Sequence, residues 1–185
     1  MAITIALLGL GAFGFLYSGA YDVSATSGHT DFVHWILDTT QRRSIAARAD
    51  AVPSPPAADQ ADVEHGFEHY RAMCVVCHGA PGVERGEFGK GMTPLPPDLA
   101  EEAAEMSARE LFWVTKHGVK LAGMPAFGPT HSDEEIWGIV AFLERLPDMS
   151  DAEYARWEAR ASSSRDSTSS DAGHAHPSGS SSHTH

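Results

Sequence analysis

Cysteine is nearly missing from this chain. The 185 residues hold two, Cys74 and Cys77, which rules out a framework of several disulfides. A structural zinc site would need two more ligands at suitable spacing. No βαβ pattern surrounds the pair, which disfavours a thioredoxin-like redox motif. Basic residues are also few: 13 stand against 25 acidic ones, for a formal net charge of −12. That balance argues against nucleic acid or an anionic membrane surface as a partner. No Lys or Arg precedes Arg42, so the apolar start lacks the positive leader of a secretory signal. Segments alternating with a period of two are absent as well, and an all-α fold is expected.

What is present begins with the residue after the second cysteine. Cys74-Val75-Val76-Cys77-His78 has the order of a c-type haem attachment site. Each thiol can add across one haem vinyl group, and the histidine is then held under the iron as an axial ligand. One covalent haem c is the expected cofactor. The sixth ligand of such an iron is often a methionine thioether, and six methionines are available. Met1 lies in the apolar start. Met73 adjoins Cys74 and cannot fold back to the opposite face. Met73, Met106 and Met149 read as core filler. Met92 and Met124 remain. Gly123 and Pro125 fix the backbone on both sides of Met124, and Phe127 can pack on the haem. Met124 is the expected ligand. Met92, or an open sixth position, is the alternative.

With Pro96-Pro97-Asp98-Leu99 and Gly123-Met124-Pro125-Ala126-Phe127 added, residues 60 to 147 resemble a class I monohaem cytochrome c of the membrane-anchored bacterial kind. The resemblance implies helices packed around one haem, one-electron transfer and no converted substrate. It implies that the Pro97 carbonyl accepts the Nδ1–H of His78, which fixes the ring and strengthens it as a donor. It places Leu99 on the haem. Gly66 and Tyr70 match the family's Gly-x-x-x-aromatic pair, where the glycine lets a later helix cross closely. The partners it implies are membrane redox proteins, such as an oxidase, a dehydrogenase or a quinol-oxidising complex. The alternative is a fixed electron-relay subunit of a larger complex. An open sixth position would instead fit a haem sensor or enzyme.

The rest of the chain divides by composition. Residues 2 to 21 carry no charge and, at ~1.5 Å each, match a ~30 Å hydrocarbon layer. A transmembrane anchor in the lipid bilayer is expected over residues 1–21, with a signal peptide cleaved near Ser18-Gly19-Ala20 as the competing reading. By the resemblance, the haem domain faces the periplasm from the inner membrane. Residues 22–50 hold an amphipathic helix capped by Thr30 or Asp31 that lies on the membrane, meets a partner or packs on the haem domain. Residues 51–60 read as a Pro-rich linker, and 61–148 as the haem domain. Ser107 to Glu110 and Ser132 to Glu135 are capping boxes, and Gly118 ends the helix between them. Lys90, Lys116 and Lys120 are candidates to ring the haem edge, or plain solvated lysines. Residues 149–185 should form a short helix to about Ala161 and a disordered Ser/His-rich tail. Its histidines could bind Zn or Cu.

Overall fold

A computed structural model describes residues 1–120 and 122–171. Among these residues there is no strand, only two isolated bridges, Ala80 to Val83 and Val119 to Met124. The all-α expectation is met. Helix α1 spans Ala2–Tyr17 and all of its residues are exposed. At ~1.5 Å per residue it reaches ~24 Å, short of the ~30 Å hydrocarbon thickness. Among the described residues, no helix is long and apolar enough to cross a membrane. The transmembrane helix expected over residues 2–21 is therefore corrected. The cause is local. The Ser18 hydroxyl donates to the Phe15 carbonyl and accepts from the Ala20 amide, and Gly19 takes φ +67°. Together they stop the helix within the uncharged run.

Helix α2 spans Asp31–Ala49, with the Thr30 hydroxyl accepting from the Val33 amide. Its two halves differ. Phe32, Trp35, Ile36 and Leu37 are exposed, whereas Ile45 and Ala49 are buried. The second half packs against a later helix, α7, Ala108–His117. There the Arg48 guanidinium sits 5.9 Å from the Trp113 ring centre, and Arg42 pairs with Asp38, Glu102 and Glu105. Of the readings weighed for this helix, packing on the domain describes its second half. The Pro-rich segment does not stand off as a bare spacer. Val52 is buried, Ser54 accepts from Arg109 at 2.9 Å, and Pro55 and Pro56 border a hollow with Trp137 and Glu144.

Helix α3 spans Gln60–His69 behind an Asp59 capping box. It continues through a π-helical turn, Tyr70–Cys74, into α4, Val75–His78. Then follow α5 (Glu87–Lys90), α6 (Leu99–Glu105), α7 (Ala108–His117) and α8 (Asp133–Leu143). Both expected capping boxes are formed, and Gly118 caps α7. A 3-10 turn, Leu146–Asp148, leads to α9, Asp151–Asp171. α9 runs ten residues beyond the expected end at Ala161. Its first turns are anchored by buried Tyr154, Trp157 and Ala161, and a helix once nucleated extends at little cost. The tail histidines His174, His176, His183 and His185 lie outside the described residues.

The core forms where α3 crosses α8. A Cβ on Gly66 would stand 1.9 Å from the Gly138 carbonyl oxygen and 2.4 Å from its carbon. The two backbones touch because neither residue has a side chain. Phe67, one residue on, meets the rings of Phe142, Tyr154 and Trp157 at 5.3–5.6 Å. Each such buried ring contributes about 1.5–3 kcal/mol. Gly66→Ala must separate the helices and loosen those rings. The expected loss is about 2–4 kcal/mol, read as a lower denaturant midpoint. A midpoint within ~0.5 kcal/mol of the parent would contradict this crossing.

Candidate cofactor site

The π-helical turn ends at Cys74 and runs straight into α4, which carries Cys77 and His78. Both thiols are free and half-buried. Burial, with the neighbouring Cys77 second, pushes the Cys74 thiol up to about 12, so its sulfur is neutral. The His78 ring is held below the usual imidazole range, chiefly by burial. Its Nδ1 lies 2.9 Å from the Pro97 carbonyl oxygen. A carbonyl only accepts, so Nδ1 carries the proton and Nε2 keeps its lone pair for a metal. The chain closes behind this turn through Gly79 at φ +73°. There the buried Tyr70 hydroxyl donates to the Gly79 carbonyl at 2.7 Å.

The methionine loop is built on the end of α7. Helix C-termini leave carbonyls without intrahelical partners. Here the Thr115 carbonyl accepts from the Phe127 amide at 3.2 Å, and Lys116 from Gly128 at 3.0 Å. Gly118, at φ +65°, lets the backbone of residues 124–126 lie against it. A Cβ there would come within 2.6–2.7 Å of Pro125 C, Ala126 N and Met124 O. Met124 is half-buried at the bridge to Val119, whose amide donates to its carbonyl at 3.2 Å. Phe127 is half-buried, and Leu99 packs from α6 against the core.

Met92 joins the two halves. The helix just before it, α5, lies on the attachment turn, where a Cβ on Gly89 would stand 2.3 Å from the Cys77 carbonyl oxygen. Three residues later the Met92 methyl covers Gly123, whose φ is +79°. The sequence reading set Met92 aside as the lesser ligand and missed this contact. It also read Gly118 only as a helix stop and missed the Tyr70 bond. Of the three lysines, Lys90 pairs with Glu84 at 2.7 Å and Lys116 pairs with Asp133. Arg85 is a cation the sequence reading did not single out. Its Nε is buried without a hydrogen-bond partner among the described residues, and its charge depresses His78.

These residues fit a c-type haem. Two neutral thiols can become neutral thioethers, an imidazole presents a free nitrogen, and a thioether-bearing loop is tied to the same wall. The comparisons agree. A family model described as "Cytochrome C oxidase, cbb3-type, subunit III" matches residues 61–143. A curated relative, the quinohemoprotein alcohol dehydrogenase of Comamonas testosteroni, is 31% identical over 90 residues. That stretch is 49% of this chain and 12% of the relative's length.

Tyr70→Phe tests the support behind the attachment turn. It leaves the buried Gly79 carbonyl without its donor, and a loss of about 1–2 kcal/mol is expected in chemical denaturation. An unchanged midpoint would mean that water already serves that carbonyl.

Proposed function

We propose, from a chain whose residues 61–143 form a class I monohaem cytochrome c domain with one covalent haem c, that the protein passes single electrons between membrane redox enzymes. In this reading Cys74 and Cys77 carry the haem, and His78 and Met124 are the axial ligands. Bound haem c supplies an iron that cycles between Fe(III) and Fe(II), and no substrate is converted. The observation that carries the reading is the 2.9 Å bond from His78 to the Pro97 carbonyl. It holds the ring in the tautomer whose Nε2 can ligate, and it raises the donor strength of that nitrogen. Leu99 and Phe127 supply apolar cover, which keeps water from the iron and favours electron exchange over ligand chemistry.

The Met124 assignment rests on its loop. The Thr115 and Lys116 carbonyls tie the loop at Phe127 and Gly128, so a ligand there is held before the iron arrives and loses little freedom on binding. Met92 has a different task in this reading: its methyl fills the space over Gly123 and keeps the loop from turning away.

A second reading has its own support. The matching family model is named for an oxidase subunit, and the Comamonas relative is a dehydrogenase. Both suit a fixed electron relay within a larger complex. By the resemblance of its haem domain to bacterial cytochromes c, we place either form on the periplasmic side of the inner membrane. Purification from native membranes in mild detergent separates the two. A stoichiometric partner supports the relay, and a chain that comes away alone supports the mobile carrier.

Two measurements test the site. Haem is expected to stay with the polypeptide after acid and organic-solvent denaturation, and to be lost when Cys74 and Cys77 are both changed to Ala. Recovery of all haem in the solvent layer from the parent protein would sink the covalent assignment. The oxidised protein is expected to show the weak near-red band of sulfur–iron ligation. Met124→Ala should remove that band and admit CO to the reduced protein, whereas Met92→Ala should keep it. The reverse pattern would give the ligand role to Met92.

A further inference from the structure

Three histidines meet outside the cofactor site. His65 and His69 lie one turn apart on α3, with ring centres 4.8 Å apart. His131, on the turn before α8, meets His69 at 5.2 Å. The other ring beside His131 is Phe127, at 5.6 Å, three residues beyond Met124. The His69 Nε2 is buried and has no hydrogen-bond partner among the described residues. The nearest acid, Glu135 on α8, holds one carboxylate oxygen 4.0 Å from that nitrogen. Its other oxygen accepts from the Ser132 amide and hydroxyl. The titratable groups that face His69 are His65 and Glu68 from its own helix, His131 from the turn and Glu135 from α8.

This arrangement favours one proton over two. A first proton gains from Glu135 and Glu68, whereas a second would place two imidazolium rings in contact inside a partly apolar wall. Burial, then His65 and His131, holds His69 below its ordinary range. The cluster is joined to the candidate cofactor site at two places. His69 precedes Cys74 by five residues on one continuous run of helix, and the His131 ring meets Phe127. When the iron gains an electron the local charge falls by one unit, and that change alters the proton affinity of a poorly solvated base nearby.

We infer that His65, His69 and His131 form a redox-linked proton site, so that electron uptake by the haem is accompanied by uptake of a fraction of a proton from solvent. The electron comes from the donor enzyme, the proton from water, and the one bond formed is N–H on an imidazole. On oxidation both leave. The inference rests on the haem assignment above and adds a proton to the electron it carries.

The test is the midpoint potential of the full-length haem-loaded protein from about pH 5 to about pH 8. The parent is expected to show a midpoint that falls as pH rises through the titration of the cluster and then levels. His69→Gln and His131→Gln are each expected to flatten that fall. A parent with no slope, or variants that keep the full slope, would overturn the inference, and the second result would give the proton to another group such as a haem carboxylate. Because His69 is partly buried and Gln could disturb α3, the parent is also titrated by NMR of its histidine ring protons in both redox states. The proton affinity of the cluster should be about threefold higher in the reduced protein, and coincident curves would overturn it. Covalent haem and the near-red band are checked on the same sample. Their presence with a pH-independent midpoint defeats only the proton site, and their absence defeats the haem assignment.

Discussion

Two backbones touch where Gly66 of α3 meets Gly138 of α8, and the cofactor site inherits its position from that contact. A side chain at Gly66 would push the helices apart, and one at Gly138 would crowd the Asp62 carbonyl at 3.2 Å. With them in contact, Phe67 fits among Phe142, Tyr154 and Trp157, and Tyr70 reaches the Gly79 carbonyl. The π-helical turn then starts from a fixed point and delivers Cys74, Cys77 and His78 in sequence. The same α8 begins at Ser132, just after the loop that carries Met124 and His131. One close crossing therefore sets both walls of the site.

The site avoids buried charge except at one place. Cys74 is neutral, and His78 is neutral with its Nδ1–H engaged. Neutral groups cost little to bury, whereas an unpaired ion costs several kcal/mol. Arg85 is the exception, because its Nε is buried without a partner among the described residues. A cation near the proximal ligand favours the reduced iron, since Fe(II) carries one positive charge fewer. Surface ion pairs such as Lys90 with Glu84 contribute little stability by comparison.

Much of the site was legible because its chemistry is written in adjacent residues. Cys74 to His78 announces a haem through spacing alone, and the Ser107 and Ser132 boxes mark helix starts by local hydrogen bonding. The methionine loop was legible through Gly123 and Pro125. What could not be read depends on contacts between distant residues. Hydropathy treats residues 2–21 as one run, because it does not register a Ser18 hydroxyl competing for backbone groups at the helix end. Prolines 53 to 56 suggest a free spacer, but Arg109 and Trp137, which lie beside that stretch, come from other helices. Met92 reads as the alternative to Met124, and its methyl lies over Gly123, a contact between distant stretches of chain. His65 and His69 stand one turn apart on α3, and only the fold brings His131 to them.

The neutral Cys74 sulfur bears on the order in which the protein is made. Thioether formation calls for a sulfur nucleophile, and the thiolate is the reactive form. A thiol shifted to about 12 is ionised in roughly one molecule in 10⁵ at neutral pH. Within the fold burial holds the Cys74 sulfur neutral, so the thiolate is scarce there. In an open chain the same cysteine is free of that burial. The open chain therefore offers the more reactive sulfur to a vinyl group, and the folded turn gives the better shield to a thioether once formed.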